Sequence, residues 1–345
     1  MYEGAREKIA RFVNAKDSSE IIFVRGATEA INLVAYSWGL HNLKQGDEVL
    51  LSLMEHHSNI VPWEIISKIS KFNIKYTQIK SDGTLDYADL EAKISSRTKL
   101  VSLTHVSNVS GVINDVRHVA KVAHDHGALV LVDGAQSVPH MPINVQKLDA
   151  DFLVFSGHKM LGPTGIGVLY GKKSFFETME PFQGGGEMIK DVSFSQKTGR
   201  CSISWNDPPW KFEAGTPNVA GGIALGEAVK YLQNIGMNEV LEHELALTAY
   251  AFERLSELEK ITIYGPTDVK VKCGIIPFSV EGLSSHDVAL FCDNFGIMLR
   301  SGFHCAQPLH QVFKLQSSAR ASFYIYNNTE EVDQFVEILK ELEQF

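Results

Sequence analysis

Short apolar runs recur through the first two-thirds of the chain, at Glu20–Val24, Glu48–Leu53, Ile74–Gln78, Leu100–Thr104, Leu129–Asp133, Phe152–Ser156 and Gly167–Tyr170. Runs this short and continuous predict strands buried on both faces of a sheet. Between them the apolar positions shift to helical spacing, as in Thr28–Trp38, Val61–Lys71 and Val116–His126. Strands alternating with helices predict an α/β layer around a mostly parallel, seven-stranded sheet.

The texture changes after the Gly/Pro-rich stretch Glu213–Gly222. A long helical pattern spans Val219–Leu258, interrupted near Gly236, and strand patterns follow at Ile261–Tyr264, Gly274–Val280 and Ala321–Tyr324. A last helix is expected from Thr329, because Asn328 and Glu331 have capping-box spacing. This predicts two domains, a large α/β domain over residues 1–222 and a smaller C-terminal α+β domain over residues 223–345. The length of 345 residues agrees with two cores better than with one.

Composition narrows the functional classes. Hydrophobic residues make up 44% and charged residues 21%, a globular balance. A net charge of −9 leaves no basic stripe to neutralise phosphates, which argues against a nucleic-acid partner. No apolar run reaches the roughly 18 residues of a membrane helix, and Met1-Tyr-Glu-Gly-Ala-Arg-Glu-Lys8 has no signal-peptide stretch. Cys201, Cys273, Cys292 and Cys305 are scattered without a CxxC pair, so neither a disulfide framework nor a thiolate metal site is expected. A reducing, cytoplasmic setting is the simplest expectation.

Three segments carry candidate chemistry. In Phe155-Ser-Gly-His-Lys159-Met-Leu-Gly-Pro-Thr-Gly-Ile-Gly167, an apolar strand ends in small polar residues and then a lysine. Ligands gather at the carboxyl ends of strands in α/β sheets, and a desolvated lysine there is an amine nucleophile for a carbonyl. Taken alone, a loop lysine is most often merely solvated. The glycines after Lys159 lead into a strand instead of opening a helix, which weakens a dinucleotide-loop reading and with it a dehydrogenase.

In Leu129-Val-Leu-Val-Asp133-Gly-Ala-Gln136 an acid closes an apolar strand, a costly placement without a cationic partner. Alone it reads equally as a turn residue. With a strand-end lysine 26 residues later, pyridoxal 5'-phosphate (PLP) becomes the better reading, since its pyridinium nitrogen needs such a carboxylate. In Arg25-Gly-Ala-Thr28-Glu-Ala-Ile, a strand turns through small residues into a helix, a natural anion site; Thr28 serves equally well as a helix cap.

The blocks Glu55-His-His-Ser-Asn-Ile-Val-Pro-Trp63, His105-Val-Ser-Asn108, Asp133-Gly-Ala-Gln136, Ser156-Gly-His-Lys159, Phe212-Glu-Ala-Gly-Thr-Pro217 and Arg300-Ser-Gly-Phe-His-Cys305-Ala follow one another in order. Together they resemble PLP enzymes of fold type I in the class V aminotransferase family, and specifically the Suf-type (group II) cysteine desulfurases, over essentially the whole chain.

The resemblance implies that Lys159 carries the cofactor and moves substrate protons, that Asp133 pairs its ring nitrogen, and that Gln136 bonds its ring oxygen. His56 would stack on the ring, and Thr28, Ser156 and His158 would hold the phosphate. Thr216 would reach a phosphate across a subunit interface, which implies a homodimer. Asn108 would lie by the cofactor and the substrate carboxylate. Arg320, in Ser318-Ala-Arg-Ala-Ser322, would grip that carboxylate with Arg300 nearby. Cys305 decides the reaction, since an aminotransferase needs no thiol and a desulfurase does. The implied substrate is L-cysteine or L-selenocysteine, giving alanine and a persulfide passed to a small acceptor protein of the Suf system for iron–sulfur cluster assembly. The adjacent His56 and His57 do not by themselves make a metal site.

Two departures qualify the match. Phe303 stands where the family often has the first histidine of its His-His-Cys loop. The family also carries a further segment before the part resembling Met1–Ala15, which lines the substrate entrance, so PLP capacity is expected more firmly than turnover. Selenocysteine lyase and cysteine sulfinate desulfinase use the same residues, and an inactive PLP-binding scaffold in sulfur transfer is the alternative from a different class.

Overall fold

The computed structural model describes residues 1–343. Seven strands form the main sheet: β1 (Ile21–Val24), β2 (Glu48–Ser52), β3 (Asn73–Thr77), β4 (Thr98–Thr104), β5 (Leu129–Asp133), β6 (Phe152–Ser156) and β7 (Gly167–Gly171). Their order is β1-β7-β6-β5-β4-β2-β3. The pairs from β6 through β3 run parallel, and β7 runs against both of its neighbours. Every strand expected in this region forms, with ends displaced by a residue or two.

Alternate side chains feed two cores. Ile21, Phe23, Leu50, Val130, Val132, Leu153 and Phe155 face one layer. Ile22, Val24, Val49, Leu51, Leu131, Phe152 and Val154 face the other. Both faces are covered, which is why these strands read as unbroken apolar runs.

The expected helix from Thr28 begins one residue earlier, as Ala27–Leu33, and continues as a π-helical stretch over Val34–Gly39. Val61–Ser70 carries Pro62 in its first turn, and Val116–Asp125 is capped by Asp115, whose side chain accepts from His118 N. The N-terminal segment forms a helix, Tyr2–Val13, that packs on helix Val219–Ile235. The sequence pattern had not singled it out. Gly236, at φ 98°, separates helix Val219–Ile235 from helix Met237–Leu255 as its position suggested. Leu225, Val229 and Leu232 join the core of the main sheet.

Two further sheets follow. β8 (Ile189–Ser195) and β9 (Arg200–Trp205) pair as a hairpin. β10 (Ile261–Ile263), β11 (Ile275–Val280), β12 (Arg300–Gly302) and β13 (Ser318–Ser322) form an antiparallel sheet in the order β10-β11-β13-β12. It has its own core, built around Phe278, Val288, Phe335 and Leu339. The strand expected at Ala321–Tyr324 starts three residues earlier and ends two earlier, because Ser318–Ser322 are the residues that pair with β11 and β12. The Asn328–Glu331 capping box is present at the start of helix Thr329–Leu342. Among the described residues no helix is long and apolar enough to cross a membrane.

Candidate active site

Thr104, Asp133 and Ser156 are the last residues of the neighbouring parallel strands β4, β5 and β6. Their ends open onto one edge of the sheet, where ligands of α/β proteins gather. Lys159 follows Ser156 in a single tight turn, Gly157–Lys159. With Thr28, His56, Ser58, Asn108, Gln136 and His158, these residues line a cavity of about 230 Å³. Eight of the nine residues expected at the cofactor therefore converge, Thr28, His56, Asn108, Asp133, Gln136, Ser156, His158 and Lys159, with Thr216 alone left outside the cavity.

Local backbone geometry fixes the key groups. The carbonyl of Asp133 accepts from His105 N at 2.9 Å, and its Oδ1 accepts from Ala135 N at 3.0 Å. A Cβ on Gly134 would lie 2.8 Å from Leu153 Cδ1 and 3.2 Å from the Val154 carbonyl, so this turn sits close against β6. Ser156 Oγ accepts from Ala27 N at 2.9 Å, which joins the end of β6 to the helix after β1. Thr28 and Ser58 share a hydroxyl–hydroxyl bond of 2.7 Å, and Ser58 N donates to His56 Nδ1 at 3.1 Å.

The electrostatics suit carbonyl chemistry. Burial lowers the Lys159 amine from its ordinary value, against an opposing pull from Asp133, with Arg320, Cys305 and Arg300 contributing less. A lowered amine pKa favours the neutral form, which is the nucleophile and base. Burial raises the Asp133 carboxyl, and Lys159 opposes it. His56 is pushed down to about 4 by burial and then by Lys159, so it offers a neutral, flat ring.

A second group of residues reaches the site from the small sheet. Arg300 and Arg320 are direct cross-strand partners in β12 and β13. Burial, then Arg300, lowers the Arg320 guanidinium to about 10. Two facing arginines of this kind favour an anion between them. Arg320 Nη1 donates to the carbonyl of Asn108 at 2.7 Å, and its buried Nε has no partner among the described residues.

Cys305 is half-buried in the loop after β12. Its carbonyl accepts from His57 N at 2.8 Å, and Gln307 N donates to His57 Nε2 at 3.3 Å. His57, set aside as a metal ligand, thus clasps the thiol's loop. The doublet His56-His57 was visible in the sequence, but not the 250-residue separation across which its second ring acts.

Glu55 was also missed as more than part of a motif. It is fully buried, with its carboxyl taking bonds from Ser52 Oγ and Asn59 Nδ2. Asn59 Oδ1 in turn accepts from Ser102 Oγ at 2.6 Å and Trp63 Nε1 at 3.2 Å. This polar cluster pins the turn that carries His56. Thr216 lies apart from the Lys159 cavity within one chain, in a depression of about 330 Å³ with Tyr2, Arg25 and Glu213. Cys201 is exposed on β9, while Cys273 and Cys292 are buried.

A mostly parallel seven-stranded sheet with a lysine and an aspartate at adjoining strand ends is the architecture of fold type I PLP-dependent enzymes. The sequence profile of aminotransferase class V matches residues 1–335, and the chain belongs to that family. A probable cysteine desulfurase of Halalkalibacterium halodurans is 51% identical over 344 residues, spanning 100% of this chain and 82% of the relative. The cysteine desulfurase CsdA of Escherichia coli superposes with a TM-score of 0.94 at 38% identity, covering 100% of this chain and 84% of that one. The apo cysteine desulfurase of Thermococcus onnurineus gives 0.94 at 42% identity, covering 99% and 84%.

Proposed function

We propose that this protein is a cysteine desulfurase that takes sulfur from L-cysteine, releases L-alanine and keeps the sulfur as a persulfide on Cys305. The observation that carries the reading is the tether of a loop-held thiol to the lysine site. The His304 carbonyl accepts from Asn108 Nδ2, whose residue lines the Lys159 cavity, and the Cys305 carbonyl accepts from His57 N, next to His56 of that cavity. An aminotransferase has no use for that thiol.

The donor set fits PLP. Asp133 is a fully buried carboxyl that needs a cation, Lys159 is a desolvated amine, His56 is a neutral ring, and Thr28, Ser156 and His158 supply donors for an anion. Bound there, PLP would supply an electron sink for the substrate's Cα.

The chain's residues would divide the remaining work. Arg320, with Arg300 opposite, binds the substrate carboxylate, and Asn108 orients Arg320 through its carbonyl. Lys159 takes and returns the Cα proton, a task its lowered basicity suits. The Cys305 thiolate forms an S–S bond to the substrate sulfur as the C–S bond breaks. The electron pair of that bond stays with the carbon skeleton, which is protonated and leaves as alanine.

In this reading residues 1–222 form the cofactor domain and residues 223–345 the smaller domain, apart from helix Val219–Ile235, whose Leu225, Val229 and Leu232 lie in the core of the main sheet. The protein works as a cytoplasmic homodimer in which Thr216 serves the partner's phosphate, and a small acceptor protein collects the persulfide sulfur for iron–sulfur cluster assembly. The test is alanine release from L-cysteine by PLP-loaded protein with a reductant, beside Cys305→Ala. Alanine from the parent and little from the variant supports the proposal. Bound PLP with no alanine from either sinks it and favours a cofactor-binding scaffold.

A further inference from the structure

Ser318, the first residue of β13, is fully buried two positions before Arg320. Its hydroxyl lies 3.0 Å from His304 Nε2 and 3.0 Å from His310 Nε2. His304 Nε2 is also 3.1 Å from the carbonyl of Ser318, and His310 Nδ1 is 3.1 Å from the carbonyl of Ala306.

Carbonyl oxygens only accept, so these contacts determine where the ring protons sit. His304 carries its proton on Nε2 and donates it to the Ser318 oxygens. His310 carries its proton on Nδ1 and donates it to Ala306, leaving Nε2 as an acceptor. The Ser318 hydroxyl proton therefore points at His310. The outcome is a directional chain from His304 through Ser318 and His310 to Ala306, and both of its ends adjoin Cys305. Burial favours the neutral form of both rings, with His304 pushed down to about 3.

The loop between those ends is strained. His304 and Cys305 have φ of 50° and 58°, a left-handed pair that side chains with a Cβ rarely adopt. Such a conformation persists only where its surroundings over-determine it. Asn108 and His57 hold its backbone from the side of the main sheet. From the other side, Ser318 and the two imidazoles hold its side chains, with Phe303 packed edge-on against His310 at 5.8 Å.

We propose that Ser318 is a positioning residue for the sulfur-accepting thiol, its hydroxyl joining His304 to His310 and so fixing the left-handed turn that presents Cys305. The proposal rests on the reading of Cys305 as sulfur acceptor and deepens it. It also assigns His304 Nδ1, buried and without a partner among the described residues, as an unprotonated acceptor beside that loop.

The test uses full-length, PLP-loaded protein. Nitrogen-15 NMR of the histidine rings reports the tautomers, and iodoacetamide labelling read by peptide mass spectrometry reports the presentation of Cys305. In the parent at neutral pH, His304 is expected as the Nε2–H form and His310 as the Nδ1–H form. Ser318→Ala keeps the Ser318 and Ala306 carbonyls and therefore both tautomers. It is expected to shift the His310 Nε2 resonance, which loses its hydroxyl donor, and to raise the Cys305 alkylation rate by about five-fold, the scale of one lost hydrogen bond. Its visible cofactor absorbance should persist, and Ser318→Thr should restore both readouts. A parent with His304 protonated on Nδ1 overturns the proposal however the variants fold. An unchanged His310 Nε2 resonance and unchanged labelling in Ser318→Ala overturn it too. Neither readout requires turnover of L-cysteine, so failure of alanine release and failure of this proposal are separate results.

Discussion

Asn108 Nδ2 donates to the backbone carbonyl of His304 at 2.7 Å, across 196 residues of chain. The same asparagine accepts from Arg320 through its own carbonyl. One residue therefore ties the Arg320 guanidinium to the loop that carries the thiol.

Asn108→Ala removes the donor that steadies this loop. Its expected effect is a fall in kcat/KM for L-cysteine of about ten-fold, the upper range for one buried hydrogen bond. Steady-state alanine release checks it. An unchanged kcat/KM would mean that His57 suffices to hold the loop.

Lys159→Ala removes the amine proposed to carry the cofactor and move the proton. Alanine release is expected to fall by about 10³-fold or more. The visible absorbance of the PLP-loaded protein should shift toward that of free PLP. Absorbance identical to the parent would reassign the cofactor's attachment.

Glu55 yields a prediction about stability and pH. Burial pushes its carboxyl from 4.5 up to about 8. The folded protein then holds a proton that the unfolded chain releases, so this group lowers stability as pH rises from about 4.5 to about 8. Glu55→Gln keeps the bonds to Ser52 and Asn59 but cannot titrate. Urea unfolding at several pH values across this window should show a flatter dependence for the variant. Parallel curves would mean that the cluster holds Glu55 ionised.

Gly167→Ala tests the seam between β7 and the turn after β1. The added Cβ would lie 2.5 Å from Gly26 Cα and 2.7 Å from the Phe155 carbonyl. Both neighbours are backbone and cannot yield cheaply, so a loss of about 2–3 kcal/mol is expected. The urea midpoint measures it, and the same displacement of Gly26 should weaken PLP binding near Ser156.

The main sheet was legible in the sequence because burial on both faces turns its strands, the half-exposed edge strand β3 excepted, into apolar runs. The hairpin of β8 and β9 was not, since Val192, Phe194 and Ile203 are exposed and its alternation marks no buried face. β13 was displaced in the reading because Ser318-Ala-Arg-Ala-Ser322 has little intrinsic strand character, and pairing with β11 and β12 decides its place. At the site, Lys159 and Asp133 were readable as polar residues at the ends of apolar runs. The pairing of Arg300 with Arg320 and the clasp by His57 depend on contacts between distant parts of the chain, which no local pattern records.

The sulfur loop has firm moorings on both sides. β12 ends at Gly302, and Ala306 is already buried in the core of the main sheet. Phe303, His304 and Cys305 are all that lies between, a tether whose full stretch is about 10 Å. On so short a leash the persulfide proposed for Cys305 cannot travel out over the surface. Whatever collects the sulfur has to bring its own reach to the mouth of the site.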